Sequence, residues 1–478
     1  MSELKPSGAS KTMSRREWLR LAATGVAASA APVLLAACAA PAAPAAPAAA
    51  VPPPTAETVV IIQTAVPLPT QVPVATPREN ITLTALSDFT GDPKVWDQVW
   101  REMQEDLGIT MNLIQMPFAD VETKLLTMVA AGTQPDLMMG HPMVVGTFGS
   151  KHLVVDLQPY ITAENYDMNY LWPGARSALA YQGEVYTLPY SYNFLLYYYN
   201  TKVIEAAGLE DPYAVWKAGK WDFDTFVKYG DEISKGTGDK QIFSITEPPH
   251  TSRVQLSFLR AFGGEIWSAD GKEVVCDTPE ALQGWDFCAD HIRKGWSPAA
   301  AGRDQGYQPT MTPLFNDDRI ALYLNNRGYT STFDLAKLKP GMVPYPVWPV
   351  GKSITRCVGE GLMAMVGTKY PDRIYEANKW WSTRGHKVLL LGGASAPNGP
   401  ALMDSSAWLS ALKPWEKNDA YKFAAETGMP DVLPPGFGEA DKICQSFYDE
   451  VALGKRSSKE AMADARKGMQ GVLDEYVS

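Results

Sequence analysis

At 478 residues, 46% of them apolar, the chain is too long for one ordinary domain, and two are expected. Its 43 basic and 53 acidic residues leave a net charge of -10. That excludes a nucleic-acid partner, whose phosphates need a basic face, and a polybasic membrane-surface segment. Fourteen Trp, 21 Tyr and 15 Phe are generous; they fill a large core, and some are also what a sugar ring needs to stack on.

The N-terminus bears on compartment. Ser14-Arg15-Arg16-Glu17-Trp18-Leu19 resembles the twin-arginine export consensus. A small-residue apolar run from Leu21 follows and ends Leu35-Ala36-Ala37-Cys38, which resembles a lipobox. The run is too short and Ala-rich for a bilayer span, which needs about 20 apolar residues. Residues 1–37 are therefore expected to be a signal peptide, with Cys38 lipidated and the mature chain held on the outer face of the cytoplasmic membrane. Two or three acyl chains would hold it firmly. Residues 38–78 are an Ala/Pro-rich tether that repeated Pro keeps out of helix and sheet. Fully extended, it reaches roughly 100 Å.

The folded part starts at Ile81. Ile81–Leu86 reads as a strand, and Val95, Val99, Trp100, Met103 and Leu107 form one helical face closed by Gly108. Ile109, Met111 and Leu113 alternate as a second strand. A helix carrying Leu125, Leu126 and Val129 and a strand over 136–139 complete a β-α-β-α-β pattern. This implies a parallel sheet covered by helices, with ligands beyond the strand ends, at Asp88-Phe89 and His141-Pro142-Met143. A second alternation begins near Phe194, with strands over 194–199, 241–245 and 320–324 and helices starting at Asp222, Val254 and Pro279. A cleft between the two units is the expected ligand site.

Catalytic signatures are missing. The chain has five His and contains no HExxH and no GxSxG. Gly351-Lys352-Ser353 lacks the first Gly of a phosphate loop, because Pro346 stands there. Gly359-Glu360-Gly361 runs into a strand rather than the helix a dinucleotide fingerprint requires. No metal spacing joins Cys276, Cys288, Cys357 and Cys444, whose disulfide state stays open. The chain is read as a non-enzyme with no cofactor and no metal.

A series of segments, in order, resembles extracellular solute-binding protein family 1, the sugar-capturing components of ABC importers. They include Gly132-Thr-Gln-Pro135-Asp136-Leu137, Tyr181-Gln-Gly183-Glu184-Val185-Tyr186-Thr-Leu188-Pro189, Tyr199-Asn200-Thr-Lys202, Phe262-Gly263-Gly264 with Asp270-Gly271-Lys272, and Ser395-Ala-Pro397-Asn398. The resemblance implies a type II periplasmic-binding-protein-like α/β fold. Each of its two lobes would be a mainly parallel sheet flanked by helices, with a hinge between. The expected boundaries are 79–191 with 354–391, and 192–353 with 392–478. It also implies a monomer that captures a carbohydrate by hinge closure and presents it to permease subunits.

The resemblance places Asn193 where the family has a sugar-contacting carboxylate. Glu247-Pro248-Pro249-His250 resembles a ligand loop, although Pro249 stands at its aromatic position. Asp88, Phe89, His141, Arg327, Tyr329 and Asn398 fall at ligand-facing places, and Trp267, Trp296 and Trp348 are candidate stacking rings. Each has an ordinary structural alternative: a helix cap for Asp88, an ion pair for Arg327, core packing for the tryptophans. A charged solute, such as a peptide, a glycerol phosphodiester or a uronate, is the competing ligand class. It would require basic residues in the cleft.

Overall fold

The computed structural model describes residues 79–477, other than 89–91, 118–119, 247–251, 299–306 and 432. Arg15, Arg16, Cys38, Phe89, Glu247 and His250 lie outside the described residues. Strand β1 (Ile81–Ser87) leads to helix α1 (Pro93–Leu107). The Asp92 carboxylate accepts from the Lys94 N–H, Pro93 occupies the first turn, and Gly108, with φ of 65°, ends the helix. Trp96, Val99, Met103 and Leu107 are its buried face. Strand β2 (Ile109–Gln115), helix α2 (Val121–Ala130) and strand β3 (Leu137–Gly140) follow, and β1 pairs in parallel with both strands. Helix α3 (Pro142–Ser150) comes next.

The chain then changes sheets. Strand β4 (Ser191–Phe194) belongs to the first sheet, and β5 (Leu196–Asn200), one residue later, to the second. The second sheet adds β6 (Phe243–Thr246), β7 (Ile320–Asn325) and β8 (Pro340–Val343), in the order β8-β5-β7-β6. Strand β9 (Thr355–Ala364) returns to the first sheet. Its last four residues pair antiparallel with β3, and its early residues pair antiparallel with β4. Late in the chain, β10 (Gly428–Pro430) joins β9 in parallel. The parallel arrangement expected from the sequence holds around β1. In the second sheet only β6–β7 is parallel, and β5 pairs antiparallel with β7 and β8. Strand β5 carries the chain into that sheet and β8 leads out of it, so the two run opposite ways.

The apolar cores sit on both faces of the first sheet and beneath the helices of the second. Val99, Met103, Ile374 and Trp381 pack on one face of the first sheet, and Leu125, Val145 and Phe148 on the other. The C-terminal helices α4 (Phe437–Ala452) and α5 (Ser458–Val477) share a core with Trp221, Trp285 and Leu322. They also reach the first sheet's layer. The Gly436 N–H donates to Thr147 Oγ at 3.1 Å. A Cβ on Gly146 would lie 2.9 Å from the backbone of Leu433, Pro434 and Pro435.

Candidate ligand cleft

A cavity of about 190 Å³ opens where β1 ends and the crossing strands begin. Asp88 follows β1, Trp96 stands on α1, and Tyr190, Ser191 and Asn193 come from β4 and its approach. Glu360 comes from β9, and Asn326 and Tyr329 come from the turn after β7. The position agrees with the rule that ligands bind beyond the carboxyl ends of parallel strands.

Alternate residues on a strand share a face, so Ser191 and Asn193 point the same way. Register places Glu360 opposite Ser191. Glu360 Oε2 accepts from Ser191 Oγ at 2.7 Å and from Asn193 Nδ2 at 3.3 Å. Asn193 is 6% exposed, and its Oδ1 is buried without a hydrogen-bond partner. Asn326 accepts from the Gly328 N–H at 2.9 Å and shapes the turn that presents Tyr329. Trp96 stacks on Trp100 at 5.3 Å and meets Tyr190 edge-on at 5.5 Å, which fixes two rings of the wall. Burial pushes the Asp88 carboxyl up to about 6, against the opposing pull of a backbone hydrogen bond. No Lys, Arg or His stands among the described lining residues.

Of the residues expected at the site, Asp88, Asn193 and Tyr329 line this cavity together. The structure places the other described candidates inside packed protein. Arg327 is an internal clasp: its guanidinium donates to Glu416 at 3.0 Å and to the carbonyls of Leu390, Ser395 and Ala411, and it lies over the Trp408 ring. Trp267, Trp296 and Trp348 belong to the core shared by the second sheet and the C-terminal helices. His141 caps α3, with Nδ1 accepting from the Met143 N–H. Asn398 is fully buried, and its Nδ2 donates to the Ser382 carbonyl at 2.8 Å. Its backbone N–H donates to His386 Nε2, whose Nδ1–H in turn holds the Tyr190 carbonyl. Asn398 thus reaches the cleft wall only through another residue.

Trp96, Tyr190, Ser191, Asn326 and Glu360 were not anticipated. Trp96 was left off the helical face read as core; it stands in the first turn of the helix after β1, three residues before Val99, and that position was the available signal. Gly359-Glu360-Gly361 has a packing origin. A Cβ at Gly361 would sit 2.4 Å from Thr187 Oγ, and one at Gly359 would sit 2.8 Å from the Ala178 Cβ.

A sequence profile described as bacterial extracellular solute-binding protein matches residues 87–387, and the chain belongs to that family. A maltotriose-binding protein from Pyrococcus abyssi is 23% identical over 293 residues, and the match spans 60% of the length of each protein. The maltodextrin-binding protein MdxE of Bacillus subtilis is 19% identical over 80% of this chain and 88% of its own. Among solved structures, an ABC substrate-binding protein from Listeria monocytogenes in complex with cycloalternan superposes with a TM-score of 0.71. It is 17% identical, and the match covers 82% of this chain and 98% of that one. A solute-binding protein from Agrobacterium radiobacter K84 in complex with ribitol superposes with a TM-score of 0.68, at 18% identity over 83% and 100%. The likeness establishes the two-lobed binding-protein fold.

Proposed function

We propose that the protein captures a neutral carbohydrate, an oligosaccharide, in this cleft and presents it to the membrane subunits of an ABC importer. The observation that carries the reading is the wall itself: two carboxylates, two amides, several hydroxyls and aromatic rings, with no basic side chain among the described lining residues. Planar acceptors suit ligand hydroxyls, and rings suit the apolar face of a sugar. A carboxylate or phosphate on the ligand would enter a wall that carries Asp88 and Glu360 and no Lys, Arg or His among the described lining residues. Relatives whose names specify maltotriose and maltodextrin support the same class.

In this reading Asp88, Asn193 and Tyr329 touch ligand together with Trp96, and Phe89, Glu247 and His250 complete the site. The lobes close because only the closed form lets ligand touch both, so ligand shifts the population. The protein is a monomer that catalyses nothing. It is exported by the twin-arginine signal at Arg15-Arg16 and anchored by acyl chains on Cys38. The Cys38→Ala variant should leave the membrane fraction for the soluble one; retention in the membrane would sink the anchor.

A thermal-shift screen of the exported chain against saccharides, peptides and sugar phosphates tests the ligand class. Ligand at 1,000 times its dissociation constant adds about 4 kcal/mol and raises the midpoint by several degrees. A rise with a neutral saccharide is expected. A rise confined to anionic ligands or peptides would overturn the reading.

A further inference from the structure

We infer that Glu360 is a specificity-determining positioning residue: it turns the Asn193 amide so that Oδ1, an acceptor, confronts the ligand at the hinge end of the cleft, which therefore selects a ligand bearing a free hydroxyl donor there. The inference rests on the carbohydrate reading above and adds what this corner of the site demands.

An amide presents a donor on one side and an acceptor on the other. Glu360 Oε2 accepts from Asn193 Nδ2, and so does Ser191 Oγ at 3.3 Å, which spends the donor side on the scaffold. Ser191 Oγ also donates to Glu360 at 2.7 Å and holds the carboxylate in register across β4 and β9. The acceptor side is left buried and without a partner in a residue that lines the cavity. Buried polar atoms rarely go without a partner, and this one belongs to a residue of the cavity wall, where a ligand can supply it. A bound hydroxyl does so; a methylene or fluorine in its place does not.

Maltotriose, and ribitol if maltotriose is silent, serve as first probes in titration calorimetry with the full chain and with Glu360→Gln and Glu360→Leu. Glutamine offers the same acceptor oxygen to Ser191 and Asn193, so Glu360→Gln should stay within about threefold of the parent. Glu360→Leu removes that acceptor, frees the amide to flip, and should weaken binding about tenfold or more. Across the monodeoxy derivatives of the probe, one position should cost the parent about tenfold and Glu360→Leu little. Equal losses in both variants would mean that the carboxylate's charge meets ligand directly, and would overturn the inference. No loss in either would do the same.

If no neutral saccharide binds, the carbohydrate reading fails, and the positioning claim is decided without ligand. Urea unfolding of Asn193→Ala, Glu360→Leu and the double variant should then be non-additive, and additive effects would overturn it.

Discussion

Asp88 is a carboxyl held where its charge is disfavoured. Its folded value, near 6, lies above the 3.8 of an unstrained Asp. The folded state therefore binds the proton more tightly than the unfolded chain, and stability falls as pH rises through the window from about 4 to 6. Asp88→Asn should remove that penalty. At pH 7 the ligand-free variant should unfold about 1–3 kcal/mol harder than the parent, with the difference vanishing below about pH 4. Urea titrations at the two pH values check it. Ligand affinity should move the other way and weaken at pH 7, where the ionised carboxylate is the better acceptor. Arg327 gives the contrasting case. Arg327→Met breaks a buried pair with Glu416 and should cost about 3–5 kcal/mol in chemical denaturation. The molecules that remain folded should keep their ligand affinity.

These two residues also show what was legible. Asp88 follows the first strand, so topology alone placed it at the site. Arg327 stands in the sequence beside Tyr329, which does line the cleft, but the two side chains part at the turn after β7. Spacing cannot tell which of two near neighbours faces inward. Nor can it tell a stacking ring from a core ring, because Trp267, Trp296 and Trp348 have the same chemistry wherever they are put. Trp96 was passed over altogether: its period with Val99 and Met103 fits a core face, and that face ends at the cavity.

At the scale of elements, the first sheet was readable because each strand and helix carries its own stop and start: Gly108, the Asp92 cap, the alternation in β1. The long strand β9 was readable only in part. It serves three partners, β3, β4 and β10, and none of those pairings leaves a local mark. Its glycines are fixed by what crosses them. Gly361→Ala should push a methyl into Thr187 and lower stability by about 1–3 kcal/mol, read as a fall in thermal midpoint. A neutral or stabilising result would mean that Thr187 moves aside freely.

At the scale of the molecule, the resemblance implied a crossing near Ser191 and a return near Ile354; the apolar run over 194–199 was read as one strand, whereas the chain changes sheets at Leu195 within it. The contact of α3 with residues 433–436 was not, because its key residues are glycines and prolines with no hydrophobic signal. Gly146→Val should wedge that contact apart, since the atoms it meets are backbone and cannot give. Small-angle scattering should show a larger radius of gyration. Affinity for the saccharide found in the screen should fall by tenfold or more, as open forms gain population.

Cys276, Cys288, Cys357 and Cys444 are all buried, and no disulfide joins them. Burial pushes the thiols of Cys276 and Cys357 up to about 12 and that of Cys444 well above its usual value. Folded, they should resist a thiol reagent that labels them at once in denaturant, since the thiolate is the reactive form. Outside the cytoplasm this makes every complete unfolding event a ratchet. An opened chain meets oxidants with four thiols and three ways to pair them all, and each bond formed blocks the way back. The working lifetime of the receptor is then set by how seldom it opens, and a tightly bound solute lengthens it by holding the chain shut.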